Sequence, residues 1–193
     1  MMRVRTFASC WLIAVALGLQ ATAEAAAQSA APQSPTIVIV VRHAERAPGS
    51  GDPPISDIGQ QRATTLAEIG KLSGVSAIIT TQLQRTRQTA APLAEALKIT
   101  PVVVPAQADV ARHAAEVAAA VRQQVGKTVL VVGHSNTVPA IVAALGGPKL
   151  PDLCETEYDS LVTLVLEAGG SVRIVRTRFG AATPVDAACA SMR

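Results

Sequence analysis

The chain has 193 residues, of which 49 % are apolar and 16 % are charged, and this composition suits one globular domain with a single core. The formal net charge is +3. If Arg3 and Arg5 leave with an N-terminal leader, the 17 basic residues fall to 15 against 14 acidic ones. The remaining charge gives no support for a nucleic-acid-binding surface. Beyond the leader only Tyr158 and Phe179 are aromatic, which argues against a base-stacking surface.

The N-terminus has the three parts of a secretory signal peptide, namely a basic start, a short apolar run and small residues at a cleavage site. These parts are residues 1–5, residues 7–19, and the triplets at 21–23 or 23–25. We predict a signal peptide over residues 1–23 with cleavage near 23–27, a flexible linker over 24–35, and a domain over 36–193.

The leader predicts a periplasmic or secreted protein with no stable membrane insertion after cleavage. Its apolar run is short for a bilayer span, although an uncleaved membrane anchor is the alternative. Of the three cysteines, Cys10 would leave with the leader, and Cys154 and Cys189 would remain. In an oxidising compartment such a pair can form a disulfide, and two unpaired thiols are the alternative.

The domain begins with alternating strand and helix patterns. A β-branched run at residues 36–41 predicts a strand buried on both faces, and a helical stretch follows at 57–71 with Ser56 or Asp57 as N-cap. In chain order come a strand at 75–80, a helix at 84–98, a short strand candidate at 101–104, a helix at 109–125, a strand at 128–132 and a helix at 135–145.

A hairpin closes the predicted domain. Two stretches with strand character at residues 161–167 and 171–178 flank Gly169 and Gly170, a pair typical of tight turns between strands. Alternation of strand and helix before this hairpin indicates an α/β fold. We therefore predict a single domain with a mainly parallel central sheet and helices on both faces.

Polar side chains collect where three of the predicted strands end. Arg42 and His43 follow the first strand, Arg85 follows the second at a short distance, and His134 follows the strand at 128–132. In open α/β sheets ligands bind beyond the carboxyl ends of the strands. These side chains are therefore expected to meet at one edge of the sheet.

Each of these residues has a simpler interpretation. His43 could end a strand without any function, Arg85 could lie on a solvated helix face, and His134 could be a structural residue in a turn. His113 lies among alanines on a predicted helix, and we expect it on the surface.

The cluster suits phosphoryl transfer. Arginine offers a planar fork of donors that matches phosphate oxygens, and a neutral imidazole is a competent nucleophile near pH 7. A helix that starts at Ser135 would add backbone N–H groups and a favourable dipole. The sequence contains no G-x-x-x-x-G-K-[ST] loop and no clear metal-ligand spacing, so we expect no cofactor and no metal.

Four sequence blocks resemble the histidine phosphatase, or phosphoglycerate mutase-like, superfamily. Arg42-His43-Ala44-Glu45 is similar to its R-H-[GA]-E signature, and residues 52–63 resemble its D-x-P-L-[ST]-x-x-G-x-x-[QR]-A segment. Residues 81–90 resemble its S-x-L-x-R-[AT]-x-x-T-A helix, and residues 131–135 resemble its second histidine block. The blocks occur in family order and cover about residues 36–178, nearly all of the predicted domain.

The resemblance implies roles for individual residues. His43 would be the phosphorylated nucleophile, and Arg42, Arg85 and His134 would complete the phosphate pocket. Many members have a glutamate as general acid beyond the second arginine, and here Asp109 is the best candidate, with Glu116 and Glu45 behind it. Further candidates for substrate contacts are Glu45, Ser135 and Asn136.

Two other functional classes are weaker. The segment Gly133-His134-Ser135-Asn136-Thr137 is similar to the G-x-S-x-G elbow of serine hydrolases, but no histidine follows Ser135 as that class requires. A non-catalytic phospho-ligand-binding protein on the same fold is the other alternative. Both histidines and both arginines of the motif are present, which favours an enzyme.

A phosphatase is expected rather than a mutase. Only 49 positions separate Arg85 from His134, which leaves little chain for the lid that would shield a phosphohistidine from water. The Arg42–Arg46 run is similar to that of exported family members that act on phosphosugars. The expected partner is thus a small-molecule phosphate monoester, and a phosphohistidine or phosphoprotein substrate is the alternative.

Overall fold

The structure, a computed structural model, describes residues 34–184. The predicted signal peptide, the linker up to residue 33, Cys10 and Cys189 therefore lie outside the described residues. Cys154 is buried and disulfide-bonded, while its pairing with Cys189 stays a prediction. No helix among the described residues is long and apolar enough to cross a membrane.

A six-stranded sheet with the order β3-β2-β4-β1-β5-β6 forms the centre of the fold. The strands are β1 (Thr36–Arg42), β2 (Val75–Thr80), β3 (Val102–Val103), β4 (Thr128–Gly133), β5 (Ser160–Leu166) and β6 (Val172–Arg178). The first four pair in parallel, and β5 and β6 extend the sheet in the antiparallel direction. All residues of β1 except Ile37 are buried, as its unbroken β-branched run predicts.

Within residues 34–184, three helices connect the parallel strands and a fourth leads from β4 to β5. They are α1 (Asp57–Leu72), α2 (Gln84–Leu97), α3 (Val110–Arg122) and α4 (Thr137–Ala144). Ser56 caps α1 by accepting a hydrogen bond from the Gly59 amide, and Asp109 caps α3 by accepting one from the Arg112 amide. Both are residue types that satisfy the free amides of a first helical turn.

Two apolar cores cover the two faces of the sheet. On one face, Leu66 of α1 and Leu93 of α2 pack against β1, β2 and β4. On the other face, Val117 of α3 and Ile141 of α4 pack against the same strands. The predicted fold class, a mainly parallel sheet with helices on both faces, is confirmed.

Three details differ from the sequence expectation. Helix α3 ends at Arg122 rather than residue 125, and α4 begins at Thr137 rather than Ser135. The prediction that His113 lies on the surface is wrong, because His113 is buried and its Nδ1 lies 3.0 Å from the Pro105 carbonyl oxygen. His113 shares the buried face of α3 with Val117 and Val121, at the spacing of one helical stripe.

We expect Gly59→Ala to destabilise the domain. A Cβ atom at position 59 would lie 2.5 Å from the Glu45 carbonyl oxygen, a backbone atom that cannot yield cheaply. Overpacking of this kind costs about 1–3 kcal/mol, measurable as a lower free energy of unfolding in urea. Gly169→Ala is the control, because a Cβ there meets nothing within 4 Å. Equal stability of the two variants would contradict the close approach.

Candidate active site

The carboxyl ends of β1, β2 and β4 open into one cavity of about 270 Å³. The register of β1 and β4 sets Arg42 opposite Gly133, and the His43 amide donates to the Gly133 carbonyl at 2.9 Å. His43 and His134 therefore leave their strands side by side. The residues that line the cavity are Arg42, His43, Arg46, Leu83, Arg85, Ala106, Gln107, His134, Ser135, Asn136, Thr137 and Glu155.

The ring of His43 is held in one tautomer. Its Nδ1 lies 2.8 Å from the Ala44 carbonyl oxygen, and a carbonyl oxygen can only accept, so we assign the hydrogen to Nδ1. In the neutral ring this leaves Nε2 with a free lone pair. The Ala44 amide in turn donates to Thr89 Oγ1 at 2.8 Å, which ties this segment to α2.

Both histidines of the cavity are uncharged near neutral pH. Burial lowers the pKa of His43 to about 3, and the positive charge of Arg42 acts in the same direction. Burial also lowers the pKa of His134 to about 4, with Arg85 as the next cause. A neutral imidazole keeps the lone pair that a nucleophile needs.

His134 lies next to His43, with ring centroids 5.4 Å apart and an edge-on arrangement. Its Nε2 is 3.3 Å from Thr81 Oγ1, which is itself 2.9 Å from Thr86 Oγ1. The two threonines lie at the end of β2 and the start of α2, so this hydrogen-bond chain fixes the His134 ring relative to both elements. The Nδ1 atom of His134 is buried and has no hydrogen-bond partner within residues 34–184.

Arg42 is held by the loop between α4 and β5. Its Nη1 donates to the carbonyl oxygens of Cys154, Glu155 and Glu157 at 2.7, 3.0 and 3.1 Å. The guanidinium carbon lies 4.2 Å from the ring centre of Tyr158, a cation–π contact. One side of the guanidinium is thus used to fix its position.

Arg85 is oriented by a carboxylate from another segment. Asp52 accepts a hydrogen bond from Arg85 Nη1 at 3.3 Å, and the Gln84 amide donates to both its carboxylate oxygens. Asp52 therefore caps α2, whose own N-cap Leu83 has no side-chain acceptor. Burial lowers the pKa of the Arg85 guanidinium, and Asp52 opposes that shift.

Three buried nitrogen atoms of the cavity residues lack a partner in the described part of the chain. They are Arg42 Nε, Arg85 Nε and His134 Nδ1. A buried polar group without a hydrogen bond is costly, and arginine can only donate. Together with the guanidinium charges of Arg42, Arg46 and Arg85, these atoms make the cavity suited to an anion with several oxygen atoms, such as a phosphoryl group.

The structure brings six predicted site residues to the cavity and leaves two outside its lining. Arg42, His43, Arg85, His134, Ser135 and Asn136 all line it.

The other two predicted residues have structural partners. Glu45 forms a bidentate ion pair with Arg62, which also donates to the Phe179 and Ala181 carbonyl oxygens. Asp109 is exposed and caps α3. The alternative candidate Glu116 also lies on α3, paired with Arg112 and Gln107.

Sequence reasoning missed two carboxylates at the site. Asp52 was present in the D-x-P block, but nothing in that block indicated its bond to Arg85. Glu155 follows no recognisable pattern, and only the fold brings it to the cavity, where its Oε2 accepts from Arg42 Nη2 at 3.0 Å. Within residues 34–184 no group of three or more His, Cys, Asp or Glu could hold a metal ion.

A family model described as the histidine phosphatase superfamily (branch 1) matches residues 38–107. This segment contains Arg42, His43 and Arg85 in the positions of the cavity described above. This segment of the chain is therefore similar to the histidine phosphatase superfamily. No curated protein matches it in sequence.

Solved structures of several phosphatases share the fold. The protein histidine phosphatase SixA complexed with tungstate is 19 % identical, with a TM-score of 0.57 over 74 % of this chain and 96 % of that one. The mycobacterial glucosyl-3-phosphoglycerate phosphatase is 18 % identical, with a TM-score of 0.59 over 76 % and 99 %. The phosphoserine phosphatase of Entamoeba histolytica is 15 % identical, with a TM-score of 0.56 over 76 % and 98 %.

We expect the buried histidines to make the domain less stable in mild acid. An unfolded histidine takes up a proton near pH 6.5, whereas His43 and His134 do so only near pH 3 and 4. The unfolded state therefore gains protons first, and stability falls as the pH drops below 6.5. Each histidine should cost about 1.5 kcal/mol between pH 6.5 and 5, a range in which most carboxylates stay ionised.

Urea unfolding at pH 6.5 and pH 5 measures this loss. His43→Gln removes one titrating group, so its free energy of unfolding should change less between the two pH values than that of the wild type. Equal changes in the two proteins would show that His43 has an ordinary pKa.

Proposed function

We propose that the protein is a phosphomonoester hydrolase that works through a phosphohistidine intermediate on His43. The observation that carries this proposal is the occurrence of a neutral His43, with its lone pair on Nε2, beside three unpartnered nitrogen atoms of residues that line the same cavity. The first is a nucleophile, and the others are donors positioned before the substrate arrives. Preorganised donors of this kind stabilise charge as it develops.

In the first step, His43 Nε2 attacks the phosphorus atom, the N–P bond forms, and the bond to the leaving oxygen breaks. The leaving oxygen takes a proton as it departs. Arg42 and Arg85 bind the phosphoryl oxygens through both steps, and His134 donates from Nδ1. In the second step, water attacks the phosphorus, the N–P bond breaks, inorganic phosphate leaves, and the Nε2 lone pair is restored.

The proposed substrate is a small phosphate monoester, with phosphosugars as the first class to test. A cavity of about 270 Å³ is at the small end of ligand pockets, and it suits a phosphoryl group with a compact leaving group. Phosphohistidine or phosphoprotein substrates are the alternative, since SixA is described as a protein histidine phosphatase.

We also propose that the enzyme acts outside the cytoplasm. This rests on the signal-peptide pattern of residues 1–23. A hydrolase that needs no nucleotide suits such a compartment, where its substrates would be exported phosphoesters.

We expect acid-labile, base-stable phosphate on His43 after rapid quenching of turnover with p-nitrophenyl phosphate. His43→Ala should abolish both the label and the activity. Arg42→Ala and Arg85→Ala should each lower kcat by about 10²–10³, the usual cost of one preorganised donor. Arg87→Ala is the matched control, because Arg87 is exposed on the same helix and does not line the cavity.

Turnover by His43→Ala near the wild-type rate would overturn the proposal. Tight binding of tungstate without any turnover in the wild type would instead favour the non-catalytic phospho-ligand-binding alternative.

We expect activity to survive dialysis against EDTA, because the guanidinium groups of Arg42 and Arg85 supply the positive charge. Vanadate should inhibit competitively, since it can take five-coordinate geometry on His43 Nε2. The measurement is the hydrolysis rate before and after chelation, and with added divalent metals. Loss of activity in EDTA with recovery on one metal would contradict this account of charge stabilisation.

A further inference from the structure

One carboxylate lies in the cavity without a role in the steps above. Within residues 34–184, Glu155 is the only acidic residue that lines the cavity. Its Oε2 accepts from Arg42 Nη2 at 3.0 Å, and its Oε1 accepts from Ser135 Oγ at 3.3 Å. The side chain is 75 % exposed, so it lies where the cavity meets solvent.

The reaction needs a proton donor at that place. An alkoxide is a poor leaving group, and a positioned acid that protonates it as the P–O bond breaks accelerates the step. The other groups of the cavity do not meet this need. His43 is the nucleophile, Arg42 and Arg85 do not release protons near neutral pH, and Asp109 caps α3 outside the cavity lining.

The loop that carries Glu155 is firmly attached to the site. Three of its carbonyl oxygens bind Arg42 Nη1, and the Leu153 amide donates to the Ser135 carbonyl at 3.0 Å. The neighbouring Glu157 is buried and bonds to Ser160 and the Cys154 amide. The backbone at Glu155 is thus fixed relative to Arg42, and its carboxylate is held at the cavity by Arg42 and Ser135.

We propose that Glu155 is the general acid of the first step and the general base of the second, an inference that rests on the proposed phosphatase activity. In the first step, the Glu155 carboxyl gives its proton to the leaving oxygen while the His43–phosphorus bond forms. In the second step, the Glu155 carboxylate takes a proton from the attacking water. The residue returns to its starting state, and no other reactant is required.

The test is the dependence of rate on the leaving group. Glu155→Gln keeps the size and a hydrogen bond but cannot supply the proton. We expect kcat/KM for an alkyl or sugar phosphate to fall by about 10²–10⁴, and kcat/KM for p-nitrophenyl phosphate, whose leaving group departs without a proton, to stay within about threefold. Rates across a series of aryl phosphates should fall more steeply with leaving-group basicity in the variant than in the wild type.

Asp109→Asn is the matched control, because Asp109 is the other acid candidate and Asn caps a helix equally well. It should leave the rates with both substrates unchanged. Equal dependence on the leaving group in Glu155→Gln and the wild type would overturn the inference, as would a selective loss in Asp109→Asn. Equal losses on all substrates would also overturn it, and would assign Glu155 to positioning Arg42.

Failure of the underlying activity would look different. A wild-type protein that forms no phosphohistidine with p-nitrophenyl phosphate would contradict the proposed function itself. Normal labelling of the wild type, together with any of the contradicting outcomes above, would reject only the role of Glu155.

Discussion

The site depends on the register between β1 and β4. These two strands pair in parallel with Arg42 opposite Gly133, so the residues that follow, His43 and His134, leave the sheet at the same level. A shift of one residue would reverse which face each side chain occupies and would separate the two rings. Because both strands are buried on both faces, the apolar packing that stabilises the sheet also fixes the distance between the His43 and His134 rings.

Burial of the two histidines lowers the stability of the domain in acid, and the same burial keeps their rings uncharged. Removing His43 and His134 from water disfavours their charged forms, which destabilises the fold in acid and keeps both imidazoles neutral near pH 7. Likewise, the unpartnered nitrogen atoms of Arg42 and Arg85 reduce stability until an anion binds. The domain therefore gives up stability at the place where it needs preorganised donors.

The sequence predicted most of the framework, because strands buried on both faces are continuous apolar runs and because ligands of α/β sheets bind at strand ends. It failed where long-range packing decides the outcome. His113 was expected on the surface, although its spacing to Val117 matches the buried face of α3. The Asp52–Arg85 and Glu155–Arg42 contacts join segments that are distant in the chain. No local sequence pattern predicts such contacts.

The two halves of the proposed chemistry come from different parts of the chain. The family model spans residues 38–107, which includes Arg42, His43 and Arg85, the groups that would handle the phosphoryl group. The loop that carries Glu155 and accepts hydrogen bonds from Arg42 lies beyond that segment. Phosphoryl oxygens are the same in every substrate, whereas leaving groups differ. If the proposed chemistry holds, the basis of substrate choice lies in the α4–β5 loop, whose carbonyl oxygens also fix the position of Arg42.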